Sequence, residues 1–220
     1  MKVIIAAALL FLGSKELLAQ SVLAKFMGHA ITIAKSKADA EGFAADPASV
    51  CVEFVPQRQC YTAPNDYRNH PTATVVQVQK DTPALFFSAE SYGVSGWQIH
   101  FALLRPGTGK NLEDIFRSDT SVSNQSQHEF WTDPSISDAQ FFVTADYVWG
   151  PDECHTCTHR YIISTYARKP SSCADGLFYY LEDRYMTIRK YNLYAKANVL
   201  ASERQEILAR LGRIKAENPQ

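Results

Sequence analysis

The stretch from Ala84 to Leu104 most constrains what this chain can fold into. Ala84 to Tyr92 places Leu85, Phe87 and Ala89 on one side, and Trp97 to Leu104 places Trp97, Ile99, Phe101 and Leu103 on one side. A period of two marks an extended backbone, whose successive side chains point to opposite faces. Gly93 and Gly96 stand between the two runs, so the pattern predicts a hairpin. Thr74 to Gln79 adds a third strand, with Val76 and Val78 opposed to Gln77 and Gln79. The same pattern recurs in Phe141 to Trp149, His159 to Arg168 and Leu177 to Ile188, separated by Gly150-Pro151-Asp152 and Lys169-Pro170-Ser171-Ser172. Eleven Tyr, twelve Phe and three Trp suit such strands, because flat side chains pack well on a pleated surface.

These segments read as a mainly β protein, with two antiparallel meanders of three or more strands forming a sandwich or a propeller-like arrangement of sheets. An offset of 55 aligns Ala84 with Ala139, Phe86 with Phe141, Phe87 with Phe142 and Tyr92 with Tyr147, as an internal duplication or chance strand similarity would. The connector between the meanders, Arg105 to Asp138, is long and polar, and contains the glycosylation triplet Asn124-Gln125-Ser126.

Helices are expected at both ends. In Ser21 to Lys37, the residues Leu23, Phe26, Met27, Ala30, Ile31 and Ala34 recur at helical spacing, predicting an amphipathic helix followed by a linker to Pro47. Near the C-terminus, Ser202 and Gln205 form a capping box ahead of an apolar stripe of Ile207, Leu208, Leu211 and Ile214. Glu206 and Arg210 then pair on the exposed side.

The first nineteen residues read as an address. Lys2, the apolar run Val3 to Leu12, and small Ala19 have the order of a secretory signal, with Ala24 as a second cleavage point. A spanning helix needs roughly 20 apolar residues, more than this run provides. The expected organisation is a signal peptide over 1–19, an amphipathic helix and linker over 20–47, and a single β-rich domain with its C-terminal helix over 48–220. The expected location is extracytoplasmic, secreted or periplasmic, the alternative being an uncleaved N-terminal anchor. As a basic amphipathic segment, residues 21–37 could also contact a membrane surface. A formal net charge of −1 gives no basic face to neutralise phosphates, so nucleic acid is not an expected partner.

The densest chemistry is Cys154-His155-Thr156-Cys157-Thr158-His159. In an oxidising compartment Cys154 and Cys157 would bridge each other. The rival is a zinc or copper site using Cys154, His155, Cys157 and His159. No second Cys-x-x-Cys supplies the other half of a structural zinc site, and Thr158 stands where covalent haem attachment requires His. Cys51 and Cys60 could close a loop around Pro56, leaving Cys173 as the odd thiol. A ten-residue strand of roughly 30 Å separates Cys173 from Cys154 and Cys157, whereas bridged Cα atoms lie within ~7 Å.

Enzyme signatures are incomplete. Gly109-Lys110 lacks the remainder of a phosphate loop, and Gly93-Val94-Ser95-Gly96 lacks the spacing of a nucleophile elbow. Glu90, Asp146, Glu182 and Asp183 lie in strand segments without a visible pairing. Trp97, Trp131 and Trp149, with Tyr92, Tyr147 and Tyr180, offer rings that either pack in the core or stack on a ligand. The sequence therefore reads as an exported, non-catalytic binding or scaffold protein for a small-molecule, glycan or protein ligand, with no cofactor. The alternative is an extracytoplasmic enzyme, hydrolase-like or metal-dependent.

Overall fold

The computed structural model describes residues 23–34, 45–64, 66–93, 96–123, 125–151, 153–154, 157–170, 177–192 and 198–217. The expected signal segment, Asn124, His155 and Cys173 lie outside them. The described strands form three antiparallel sheets, each running in chain order. The first holds β1 (Leu23–Phe26), β2 (His29–Ala34), β3 (Ser49–Val52) and β4 (Gln59–Thr62). The second holds β5 (Asn69–Gln79), β6 (Thr82–Gly93), β7 (Gly96–Pro106) and β8 (Leu112–Asp114), with β9 (Val122–Ser123) also paired to β7. The third holds β10 (Gln127–Asp133), β11 (Ser137–Tyr147), β12 (Tyr161–Pro170) and β13 (Leu177–Met186), followed by helix α1 (Val199–Glu217).

The alternation in β6 and β7 explains why the sheets stack. Leu85 lies opposite Leu104 and Phe87 opposite Ala102, and this face joins Phe26, Ile31, Val50 and Val52 of the first sheet in one buried cluster. Phe101 and Leu103 turn the other way, where they meet Phe142, Tyr166, Phe178 and Tyr179 of the third sheet. That third sheet buries its remaining face, through Phe141, Val143, Ala145 and Ile163, against Val199, Leu200, Ile207 and Leu211 of α1. Both β6 and β11 are therefore apolar on two faces, as strands between two layers must be.

Three sequence expectations are corrected. First, the described part of the 21–37 segment is a hairpin, not a helix. Met27 and Gly28, with φ of 51° and 84°, form its two-residue turn, the left-handed pair that matches the twist of the flanking strands. Phe26 and Ile31 are fully buried while Met27 is 54% exposed, so the residues of the expected helical stripe do not share one face. The β-branched run Ile31-Thr32-Ile33 is the strand signal that the spacing obscured. Second, the Arg105–Asp138 connector contains β8, β9 and β10, and the described strands form three sheets, of four, five and four strands, where two meanders are expected.

Third, α1 begins at Val199 and is capped by Asn198, not by Ser202. The Ala201 amide donates to Asn198 Oδ1 at 2.9 Å, while Gln127 Oε1 accepts from the Val199 and Leu200 amides at 2.8 and 3.3 Å. Three otherwise orphaned donors are thereby satisfied, one cap coming from a strand of the sheet that the helix covers. Asn198→Ala is expected to cost about 1 kcal/mol in urea unfolding. Ser202→Ala should be close to neutral, since its hydroxyl only donates to the Asn198 carbonyl. Further along α1, Arg210 forms a two-pronged pair with Asp183 at 2.6 and 3.0 Å, a shorter contact than the 3.9 Å to Glu206. Glu203 accepts from the hydroxyls of Tyr185 and Tyr191.

Candidate functional site

The face of the second sheet that meets the third through Phe101 and Leu103 continues past that contact to Ser88, Glu90, Tyr92 and Trp97. Tyr92 lies directly opposite Trp97 and Glu90 opposite Ile99, so these side chains share one side. The Tyr92 and Trp97 rings are 4.7 Å apart at 59°, and Trp97 is 46% exposed. Thr72 and Ser88 hydroxyls are hydrogen-bonded at 2.7 Å on the neighbouring strand pair.

His70 joins this group through a β-bulge. Asn69 pairs with Glu90 and Thr72 with Ser88, so His70 and Pro71 together oppose the single residue Ala89. His70 takes a left-handed φ of 43°, a conformation uncommon for residues other than glycine. The bulge turns its ring toward Glu90, with Nδ1 2.9 Å from Glu90 Oε2 and 2.8 Å from the Tyr92 hydroxyl oxygen. Burial, the Glu90 charge and a hydrogen bond to Glu90 hold the Tyr92 phenol above its usual pKa, so it remains a neutral hydroxyl. Strain held beside an exposed tryptophan is a recurrent mark of a working site.

The Cys154–His159 loop is built differently. Cys154 and Cys157 form a disulfide, as do Cys51 and Cys60, which face each other across β3 and β4. Both loop thiols are thus bonded to each other, and His155, the third residue of the expected metal set, lies outside the described residues. His159 is fully buried. Its Nδ1 lies 2.8 Å from Glu153 Oε2, and its Nε2 lies 2.7 Å from the Tyr147 hydroxyl and 2.8 Å from the Cys154 carbonyl. Glu153 also accepts from Lys190 Nζ at 2.7 Å and from the Gly150 amide at 2.8 Å. The Lys190 and Gly150 bonds outweigh burial and hold the Glu153 carboxyl at about 2.

Of the three tryptophans expected as stacking residues, Trp131 is corrected to a core residue, 3% exposed with the Arg204 guanidinium 4.6 Å over its ring. Trp149 is 49% exposed and contacts the rings of Tyr147 and His159. The carboxylates named from sequence disperse: Asp146 accepts from the Ser123 amide, Glu182 pairs with Lys169, and Asp183 with Arg210. Only Glu90 joins an exposed aromatic group. On the opposite face of the second sheet, His100 hydrogen-bonds Tyr61 at 2.9 Å, and burial lowers its pKa against the opposing charge of Asp119. A shallow depression of about 550 Å³ is lined by Arg105, Gly107, Asn111 and Glu113 among others, and its charges neutralise one another, with Arg105 2.8 Å from Glu113.

Sequence reasoning named Tyr92, Trp97 and Glu90 but not His70. Its one signal was the pairing of His70 with Pro71, since proline inside a strand pattern marks an edge or a bulge. No protein-family model, curated protein or solved structure matches this chain. The site is therefore defined by its own geometry.

Proposed function

We propose that this chain is an extracytoplasmic, non-catalytic binding or scaffold module that meets its ligand at the Tyr92–Trp97 end of the second sheet. The observation that carries the reading is the strained His70 turned toward Glu90 and Tyr92 beside an exposed Trp97. Two disulfides fit an oxidising compartment, and no helix among the described residues is long and apolar enough to cross a membrane. For the architecture we read a layered sandwich over a propeller, because α1 rather than a further sheet covers the outer face of the third sheet.

The rival is an extracytoplasmic enzyme using the Glu153–His159–Tyr147 relay, which has the order of a carboxylate, base and hydroxyl. Against it, His159 is fully buried and both ring nitrogens are engaged by internal partners, so neither atom faces a substrate. The three tryptophans allow a direct test by fluorine NMR on 5-fluorotryptophan protein. With pooled oligosaccharides and peptides, the Trp97 resonance should move while those of Trp131 and Trp149 stay. A response confined to Trp149, or ester or glycoside turnover that vanishes in His159→Gln, would overturn the proposal.

A further inference from the structure

We infer that the Tyr92–Trp97 end binds a neutral, hydroxyl-rich sugar, its ring resting on Trp97 and its hydroxyls bonded to Glu90 and His70. This rests on the binding-module reading above.

Three other ligand classes fit less well. A quaternary ammonium ion needs ring faces held apart as a cage, but Tyr92 and Trp97 touch each other at 4.7 Å and leave no space between them. An anionic ligand meets the Glu90 carboxylate, whose charge repels it at close range. A peptide would add as a strand to the edge that β5 forms among the described strands, yet the His70–Pro71 bulge interrupts that edge and Pro71 has no amide to donate.

A sugar matches what is present. Its C–H faces are flat and apolar enough to lie on an exposed indole, and its hydroxyls suit a charged acceptor at the ring's edge. Glu90 supplies that acceptor, His70 presents a ring that is mostly solvent-facing, and the Thr72–Ser88 hydroxyl pair continues the polar row one residue pair further along the same side. The bulge is what brings His70 to this row, which gives its unfavourable φ a purpose that packing does not.

The test is a fluorine NMR titration of the full chain, labelled with 5-fluorotryptophan and assigned through Trp97→Phe. The probes are cellotetraose, xylotetraose and chitotetraose as neutral sugars, tetragalacturonate as an acidic one, and a tryptic peptide pool. A saturable Trp97 shift is expected with a neutral sugar and not with the acidic one. Trp97→Ala should weaken that affinity about tenfold or more. Glu90→Gln and His70→Asn should each weaken it several-fold without moving the urea midpoint, asparagine being chosen because it tolerates the left-handed backbone. A Trp97 response to tetragalacturonate or peptide with all neutral sugars silent would overturn the sugar assignment and leave the binding face standing. Silence of Trp97 in every arm would overturn both.

Discussion

Phe142→Ala is expected to destabilise the protein by about 3–5 kcal/mol. Phe142 is fully buried on the face of β11 turned toward the second sheet, with ring centroids at 5.3 Å from Phe86, 5.4 Å from Phe101, 5.1 Å from Phe116, 5.0 Å from Phe130 and 5.8 Å from Tyr166. Its removal loses the transfer energy of a whole aromatic side chain. It also opens a cavity between two sheets whose backbones are fixed by strand pairing and cannot close around it. Phe142→Leu should restore roughly half of the loss. Leu181→Ala, at a partly exposed edge position, should stay within about 0.5 kcal/mol. Urea unfolding followed by tryptophan fluorescence and circular dichroism checks the order. A Phe142→Ala loss below about 1 kcal/mol would mean that the second and third sheets do not share a packed interior.

What was legible in the sequence follows from how locally each feature is encoded. β6, β7, β11 and β12 announce themselves because alternation is read within one strand, and Gly93 and Gly96 mark a turn in place. The β1–β2 hairpin does not, because a two-residue turn resets the phase: Phe26 and Ile31 belong to different strands, yet their neighbours fall at helical spacing. Met27-Gly28 also lacks the asparagine or aspartate that usually announces such a turn. The stripe of α1 is legible in the sequence, but the Ser202–Gln205 spacing that marks a start occurs inside the helix, while the cap from Gln127 comes from 72 residues away.

The two sites differ in the same respect. The disulfides join cysteines 9 and 3 residues apart and were foreseeable from spacing. His70 was not, because a bulge is a property of the register between two strands. In the sequence His159 reads as a candidate ligand, but its role is set by distant groups: Lys190 lies 37 residues from Glu153, and Tyr147 ends β11. A motif fixes which atoms are near in sequence; only the fold decides which of them are already engaged.

Replacing His159 is the second large effect. His159→Ala should cost about 3 kcal/mol, because it removes a fully buried ring together with its hydrogen bonds to the Tyr147 hydroxyl, the Cys154 carbonyl and Glu153. The loss should be accompanied by faster amide exchange in the described loop residues around Gly150 to Glu153 and Cys157 to Arg160. Acid dependence isolates the carboxylate. Glu153 is held at about 2 by Lys190, the Gly150 amide and His159, against an ordinary value near 4.5. A depressed carboxyl contributes stability that is fully present above the unfolded value and lost as pH falls toward the folded one. The wild-type protein should therefore lose this contribution between about pH 5 and about pH 2. Glu153→Gln should start lower at neutral pH and show a flatter acid limb over the same window, measured as the urea midpoint against pH. Equal acid slopes in the two proteins would show that Glu153 does not hold the loop through its charge. In that case the cost of His159→Ala would belong to packing and to the hydrogen bonds with Tyr147 and Cys154.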